Sequence, residues 1–223
     1  MLKIFFPCLG VILTNIFGLN ILKSYIFNRQ KLQHEYNEIL FYCIIYNASG
    51  WVLYGVIIKD IFIFLSGIST IISSFGFIQI MYKYINQKKL IYIEIISLIN
   101  LLYFLIIIFL LNFTHIKLYI IQNIVGSICV FTTLSVNLVP LLIMKQVIRT
   151  HNTDLIYLPQ AFINSINYLS WFIYSLINYN VFLVITNSVC LLLCLFQIMV
   201  YSYVKSKKKG KSIILLYNDG VIV

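Results

Sequence analysis

The sequence predicts an all-α integral membrane protein with seven transmembrane helices, and three observations lead to this fold class. Hydrophobic residues make up 61% of the 223 residues and charged residues only 10%, so too little charge remains for a surface that faces water. Apolar windows of about 20 residues, each long enough to cross ~30 Å of hydrocarbon, recur along the chain. A pattern of polar and aromatic residues also repeats at an offset of 120 positions.

The apolar windows give seven predicted membrane spans. In chain order they are 4–27, 36–58, 61–85, 91–111, 118–143, 157–178 and 181–204. Pro140 lies inside the fifth span, where it should kink the helix, and Pro159 lies at the start of the sixth. All five cysteines fall inside spans without metal-ligand spacing, so they are interpreted as packing residues and no metal or cofactor is expected.

The repeat pairs residues 29–89 with residues 149–209 without a gap. It matches Asn47 with Asn167, Trp51 with Trp171, Tyr54 with Tyr174, Asp60 with Asn180 and Phe62 with Phe182. A period this long indicates two copies of a three-helix unit rather than a solenoid. The fourth span has no counterpart, so it is interpreted as a linker helix that lets the second unit insert in the same orientation as the first.

This interpretation divides the chain into four parts, a 3+1+3 arrangement of two parallel three-helix bundles with a linker helix and a tail. They are the first repeat (1–89), the linker helix (90–117), the second repeat (118–204) and a basic cytoplasmic tail (205–223).

The net charge of +10 reflects topology rather than nucleic-acid binding. Thirteen of the sixteen Lys and Arg residues fall in alternate loops or the span ends beside them. The positive-inside rule then places the N-terminus outside and the C-terminus in the cytoplasm. The basic tail could contact anionic membrane lipid.

Ionisable side chains are absent from the predicted middle of every span, which argues against a proton-driven pump and against ionic substrates. Asparagine, serine, threonine and tryptophan remain at that depth. An amide offers a donor and an acceptor, and an indole offers a flat apolar face, which together suit a sugar ring. The repeat should bring Asn47 and Trp51 opposite Asn167 and Trp171 across one central cavity. The alternative is that these asparagines join helices and the tryptophans favour the membrane interface.

Motifs in both units resemble the SWEET sugar transporters, the MtN3/saliva family, over about residues 10–204. They are WVLYG at 51–55 with Asp60, VPL at 139–141, VIRT ahead of Leu158 and Pro159, WFIY at 171–174, then Asn187, Gln197 and Tyr201. The resemblance implies a pocket lined by Trp51, Trp171, Asn47, Asn167 and Asn187.

The resemblance also implies less regular pocket positions. The third-helix residue paired with Asn187 is Gly67, so Ser66 beside it could supply the polar contact in its place. Ser135, five residues before Pro140, is implied to face the pocket, with Asn15 as its first-unit partner to within one residue.

Two gates are implied as well. Of the family's four cytoplasmic prolines, Pro140 and Pro159 are present, whereas Asn20 and Ile39 stand at the paired positions. At the outer side, Tyr54 would meet Asn180 in a hydrogen bond without a charge.

These features favour a facilitative uniporter that carries a neutral mono- or disaccharide such as glucose or fructose by alternating access, in a plasma membrane. The resemblance implies homo-oligomers. A related PQ-loop transporter of amino acids or cations stays open as an alternative, and a seven-helix sorting receptor is a third. An enzyme is not expected, because the sequence has no nucleophile with a partnered base, no metal cluster and no phosphate loop.

Overall fold

Helices account for nearly all of the chain that the computed structural model describes, which is residues 1–27, 38–81, 87–113, 116–153, 156 and 158–218. In chain order the helices are α1 (Leu2–Phe27), α2 (Glu38–Ile57), α3 (Ile61–Met81), α4 (Gln87–Phe113), α5 (Leu118–Val136), α6 (Leu138–Thr150), α7 (Leu158–Ile177) and α8 (Val181–Asn218). Within these ranges the all-α prediction is confirmed, and every predicted span contains helix.

The fifth predicted span consists of two helices rather than one kinked helix. Helix α5 ends at Val136, and α6 begins at Leu138, with Asn137 between them at φ −79° and ψ 1°. Pro140 is then the third residue of α6. A first-turn residue needs no intrahelical N–H donor, so proline there costs no helical hydrogen bond. The corresponding part of the first unit lies in the uninterrupted helix α1, where Asn20 replaces the proline.

The last helix runs past the predicted end of its span. Helix α8 continues from Val181 to Asn218, so residues 205–218 of the predicted tail extend the helix, and residues 219–223 lie outside the described part. At 1.5 Å per residue, the 38 residues of α8 are about 57 Å long, well beyond the ~30 Å of a hydrocarbon layer.

Helix contacts follow the sequence repeat. Both α1 and α2 pack on α3, and α5, α6 and α7 pack on α8. Two further contacts join α1 to α7 and α2 to α5, and the offset of 120 residues converts one pair into the other. Helix α4 contacts α2 and, less extensively, α5. The residues predicted to line a pocket on α2 and α7 therefore lie beside α5 and α1.

Large apolar side chains cover much of the outer surface of this bundle. On α4, for example, Leu98, Leu101, Leu102 and Leu105 are each about half exposed. By length and composition, the segments Leu118–Val136 and Val181–Lys207 qualify as membrane spans among the described residues. Four shorter apolar segments of 10–17 residues lie in α1, α2, α3 and α4. Such a surface is unfavourable in water and compatible with lipid.

Two tight turns mark one end of the bundle, which we call the hairpin end. Residues 58–60 join α2 to α3, and residues 178–180 join α7 to α8. Each turn contains a residue with positive φ, Lys59 at 58° and Tyr179 at 54°. The backbone N–H that follows then donates to the preceding helix, from Asp60 to Gly55 and from Asn180 to Ser175. The two turns thus have matching backbone conformations.

Candidate functional site

Asn47 joins α2 to α5 through its amide nitrogen. Nδ2 lies 2.8 Å from the Thr132 hydroxyl oxygen, 2.7 Å from that of Thr133 and 3.4 Å from the Cys129 carbonyl oxygen. These acceptors occupy one face of α5. The amide donors of Asn47 are therefore fully used within the protein.

Trp51 lies one helical turn after Asn47 and also contacts Thr133. Its indole Nε1 donates to the Thr133 hydroxyl at 3.0 Å, and that hydroxyl donates in turn to the Cys129 carbonyl at 2.7 Å. Thr133 consequently fixes the orientation of both predicted pocket residues on α2. Thr133 has no sequence signal that marks it as a contact for α2, because a threonine in an apolar helix more often bonds only to its own backbone.

Asn167 on α7 is held much more loosely than Asn47. Its Nδ2 is 3.4 Å from the hydroxyl of Thr14 on α1, and its Oδ1 is buried without a hydrogen-bond partner. A buried polar atom without a partner is costly, so it needs an explanation. The two asparagines thus occupy repeated positions but differ in how far their hydrogen bonds are satisfied.

Trp171 packs against Gly10 of α1. A Cβ atom on Gly10 would lie 2.5 Å from the indole Nε1, so only glycine allows this approach. Trp171 is buried, with 6% of its surface exposed. The structure therefore places Trp51 against α5 and Trp171 against α1, one in each of the two repeated helix contacts.

Asn187 lies on α8 and its repeat partner Gly67 lies on α3, the helices that pack against α5 and α7 and against α1 and α2 respectively. Asn187 is buried on α8, and its Nδ2 donates to the Leu183 carbonyl of the same helix at 2.8 Å. A Cβ on Gly67 would lie 2.6 Å from Cγ2 of Val52 and 3.0 Å from the Ala48 carbonyl oxygen. Gly67 therefore allows close packing of α3 on α2. The neighbouring Ser66 is half-buried, and its carbonyl accepts from Ser69 and Thr70.

The remaining predicted pocket residues bond within their own helices. The Ser135 hydroxyl donates to the Phe131 carbonyl at 2.8 Å, and the residue is exposed. Asn15 is half-buried, and its Nδ2 donates to the Val11 carbonyl at 2.8 Å. Neither hydrogen bond connects Ser135 or Asn15 to Asn47, Trp51, Asn167 or Trp171.

At the hairpin end, the predicted contact between Tyr54 and Asn180 is present. The tyrosine hydroxyl donates to Asn180 Oδ1 at 3.1 Å. Its repeat partner, Tyr174, donates to Asp60 Oδ2 at 2.6 Å. Each bond joins a residue of one sequence repeat to a residue of the other, and both tyrosine side chains are buried. The bond between Tyr174 and Asp60 was not predicted, although the 120-residue offset relates it directly to the bond between Tyr54 and Asn180.

Each hairpin-end tyrosine also contacts the tryptophan three residues before it. The rings of Trp51 and Tyr54 meet edge to face at 5.6 Å, and those of Trp171 and Tyr174 at 5.8 Å. A cavity of about 580 Å³, lined in part by Tyr54 and Tyr174, opens at the hairpin end. Its lining is rich in amide and hydroxyl groups, including Gln122, Asn123 and Asn178.

The other predicted gate residues belong to helices. Pro159 is the second residue of α7, as expected for a helix start. Asn20, Ile39 and Pro140 lie in α1, α2 and α6, and their side chains lie outside the described part of the structure.

The cluster has the chemistry of a neutral binding site. The hydrogen bonds around Asn47, Trp51 and Asn167 involve amide, indole, hydroxyl and carbonyl groups. Among the described residues, no group of three or more His, Cys, Asp or Glu side chains could hold a metal ion. Amides and indoles of this kind can bind hydroxyl groups and the apolar face of a ring.

Comparison with known proteins leads to the same family as the motifs. Residues 123–209 match the MtN3/saliva family model, described as a sugar efflux transporter for intercellular exchange. The resemblance to the SWEET family is confirmed. A 90-residue stretch, 40% of the chain, is 32% identical to "Putative bidirectional sugar transporter SWEET7d" of Oryza sativa subsp. japonica. That match spans 33% of the length of this SWEET relative.

The fold of a solved eukaryotic SWEET transporter is also similar. The two structures superpose with a TM-score of 0.76, over 92% of this chain and 100% of the other. Their sequences are 18% identical, so this likeness concerns the fold alone. The all-helical bundle therefore resembles the fold of that SWEET transporter.

Proposed function

We propose that this chain is a facilitative transporter that moves a neutral mono- or disaccharide across a membrane by alternating access. The observation that carries the proposal is that Asn47 and Trp51 of α2 contact α5, while Asn167 and Trp171 of α7 contact α1, and that the repeat relates the two helix contacts. The match of residues 123–209 to a sugar-transporter family supports the substrate class. The alternative function is that of a PQ-loop-type transporter, which would carry amino acids or cations, and the experiment below also tests it.

The arrangement that we propose is 3+1+3. The first unit comprises α1 to α3, the second comprises α5 to α8, and α4 links them. The packing of α1 and α2 on α3, and of α5, α6 and α7 on α8, supports this division. Because the units contact each other through α1–α7 and α2–α5, rocking one against the other would open either end of the space between them.

The substrate site that we propose lies between the units and is neutral. Asn167 has an unpaired buried oxygen that a sugar hydroxyl could satisfy, and Trp171 beside it offers an apolar ring face. Asn187 would contribute from α8, and Ser66 from α3. Since a hydroxylated substrate needs both donors and acceptors, amides suit it better than charged groups do.

In this proposal the hairpin end faces the outside, and the structure is a state closed on that side. At this end, the hydrogen bonds of Tyr54 and Tyr174 join the two proposed units, and both side chains are buried. The N-terminus is then outside and the C-terminus cytoplasmic, as the distribution of Lys and Arg favours. The plasma membrane is the proposed location, anionic lipid a partner of the basic C-terminal segment, and a homo-oligomer the proposed assembly.

The test is uptake of radiolabelled glucose, fructose and sucrose into liposomes that contain the purified protein. We expect saturable uptake that does not change when a proton gradient is imposed. Trp171→Ala and Asn187→Ala should abolish it, whereas Leu192→Ala, which alters a side chain on α8 with 65% of its surface exposed, should not.

Absence of sugar uptake by protein that retains its helical circular dichroism would contradict the proposal. Uptake of amino acids or cations by the same liposomes would then favour the PQ-loop alternative. Sugar uptake that depends on the proton gradient would contradict the uniport part only.

A further inference from the structure

The two hydrogen bonds at the hairpin end are related by the repeat but differ in charge. Tyr54 donates to a neutral amide oxygen of Asn180 at 3.1 Å, and Tyr174 donates to a carboxylate oxygen of Asp60 at 2.6 Å. A hydroxyl bound to an ionised acceptor forms a shorter bond, roughly twice as strong as a neutral one. The bond of Asp60 is therefore expected to be the stronger of the two.

The carboxylate of Asp60 is also the better anchored acceptor. Its Oδ1 accepts the backbone N–H groups of Phe62 and Ile63 at 3.0 and 3.2 Å, which caps α3. Its Oδ2 is thereby left for Tyr174. Asn180 instead uses the single atom Oδ1 for both Tyr54 and the backbone N–H of Leu183. A fixed acceptor with a separate oxygen for each donor loses less entropy when the contact between the units forms.

Tyr174 lies between this carboxylate and the proposed sugar site. Its ring packs edge to face on Phe62 of α3 at 6.1 Å and on Trp171 of its own helix at 5.8 Å. Movement of Tyr174 away from Asp60 would therefore change the surroundings of the Trp171 indole. This connects the closure of the hairpin end with the occupancy of the site.

We propose that Asp60 is the residue that sets how firmly the hairpin end is closed, through Tyr174, and that the bond between Tyr54 and Asn180 contributes less. The inference rests on the alternating-access part of the proposed function. It assigns different contributions to Asp60 and Asn180, two positions with the same backbone conformation in the repeat.

The test measures the distance across the hairpin end without any sugar. Spin labels are attached to Ile61→Cys and Val181→Cys, repeat partners that are 56% and 64% exposed at the starts of α3 and α8. The native cysteines are replaced by serine or alanine, and the distance distribution is measured by pulsed electron paramagnetic resonance in lipid nanodiscs. Asp60→Asn retains a side chain that can cap a helix but removes the charge.

We expect Asp60→Asn to raise the ratio of long to short distances about fivefold, the difference between a charged and a neutral hydrogen bond. Asn180→Asp should lower the ratio. Tyr174→Phe, which keeps the ring on Trp171, should reproduce the effect of Asp60→Asn, and Tyr54→Phe should have a smaller effect. These two variants leave the cap of α3 intact, so they test the same bond if Asp60→Asn does not fold.

The inference is overturned if Tyr54→Phe widens the distribution as much as Tyr174→Phe does, or if Tyr174→Phe leaves it unchanged. Because the readout is a distance in sugar-free protein, its outcome is separate from the uptake assay. If Tyr174→Phe widens the distribution more than Tyr54→Phe does, but the protein transports no sugar, only the proposed function is contradicted.

Discussion

The indole Nε1 of Trp51 and the hydroxyl of Thr133 lie 3.0 Å apart, and this hydrogen bond joins α2 to α5. The same hydroxyl accepts from Asn47 at 2.7 Å. One threonine thus accepts hydrogen bonds from both Asn47 and Trp51 of α2. This makes Thr133 the point at which folding and the proposed site depend on the same atom.

Thr133→Val should lower the free energy of unfolding in detergent by about 1–3 kcal/mol, because the variant keeps the shape of the side chain but leaves the half-buried indole N–H of Trp51 without this acceptor. Far-UV circular dichroism during chemical unfolding measures the change. The matched control is Thr132→Val, which leaves Asn47 bonded to Thr133 and should cost less. Equal losses in the two variants would show that Thr133 has no special role.

Gly67→Ala should destabilise the protein by about 1–3 kcal/mol, since the new methyl group would lie 2.6 Å from Val52 Cγ2 and 3.0 Å from the Ala48 carbonyl oxygen. Gly76→Ala on the same helix is the control. Nothing lies within 4 Å of the Cβ position there, so alanine should leave stability unchanged or raise it by up to ~1 kcal/mol. Thermal unfolding of the two variants side by side gives the comparison, and similar losses would contradict the packing argument.

Gly10→Ala should displace Trp171, because its Cβ would lie 2.5 Å from the indole Nε1. We expect about tenfold weaker sugar binding, the factor that corresponds to a loss of ~1.4 kcal/mol of contact free energy. In a Trp51→Phe background Trp171 is the sole tryptophan, so a shift in its fluorescence reports the displacement directly. An unchanged spectrum together with unchanged binding would show that α1 accommodates the methyl group.

Much of the fold could be predicted from the sequence because a helix that crosses the hydrocarbon layer needs about 20 apolar residues. The apolar windows located the helices, and the 120-residue offset with the resemblance paired Tyr54 with Asn180, a contact that the structure contains. The rotation of each helix was harder to predict. Where a helix is apolar on every side, periodicity does not show which face meets a neighbour. Periodicity therefore does not show that the Cβ position of Gly67 faces Val52, or that the Thr133 hydroxyl accepts from Trp51.

The division of the fifth span was also only partly predictable. Pro140 indicated a disturbance, but its missing N–H permits either a kink or a new helix start. The side chain of Asn137 helps to explain the outcome. Its Nδ2 donates to the Thr133 carbonyl at 2.8 Å and its Oδ1 accepts from the Tyr168 hydroxyl at 3.4 Å. Contacts of this kind depend on a second helix and cannot be read from local sequence.

The final prediction concerns two asparagines at repeated positions, for which replacement by leucine should have opposite effects on stability. Asn47→Leu removes three donor contacts to α5 and should cost about 1–3 kcal/mol. Asn167→Leu removes a buried oxygen that has no partner and only one long hydrogen bond, so it should stabilise the fold by up to ~1 kcal/mol. Both variants should lose sugar uptake.

Unfolding in detergent and uptake into liposomes, measured on the same two preparations, separate the alternatives. A more stable Asn167→Leu protein without uptake would mean that the unpaired oxygen is retained for a ligand at the expense of the fold. If Asn167→Leu instead destabilises the protein as much as Asn47→Leu does, both residues serve to join helices. The proposed site would then lose its main hydrogen-bonding group.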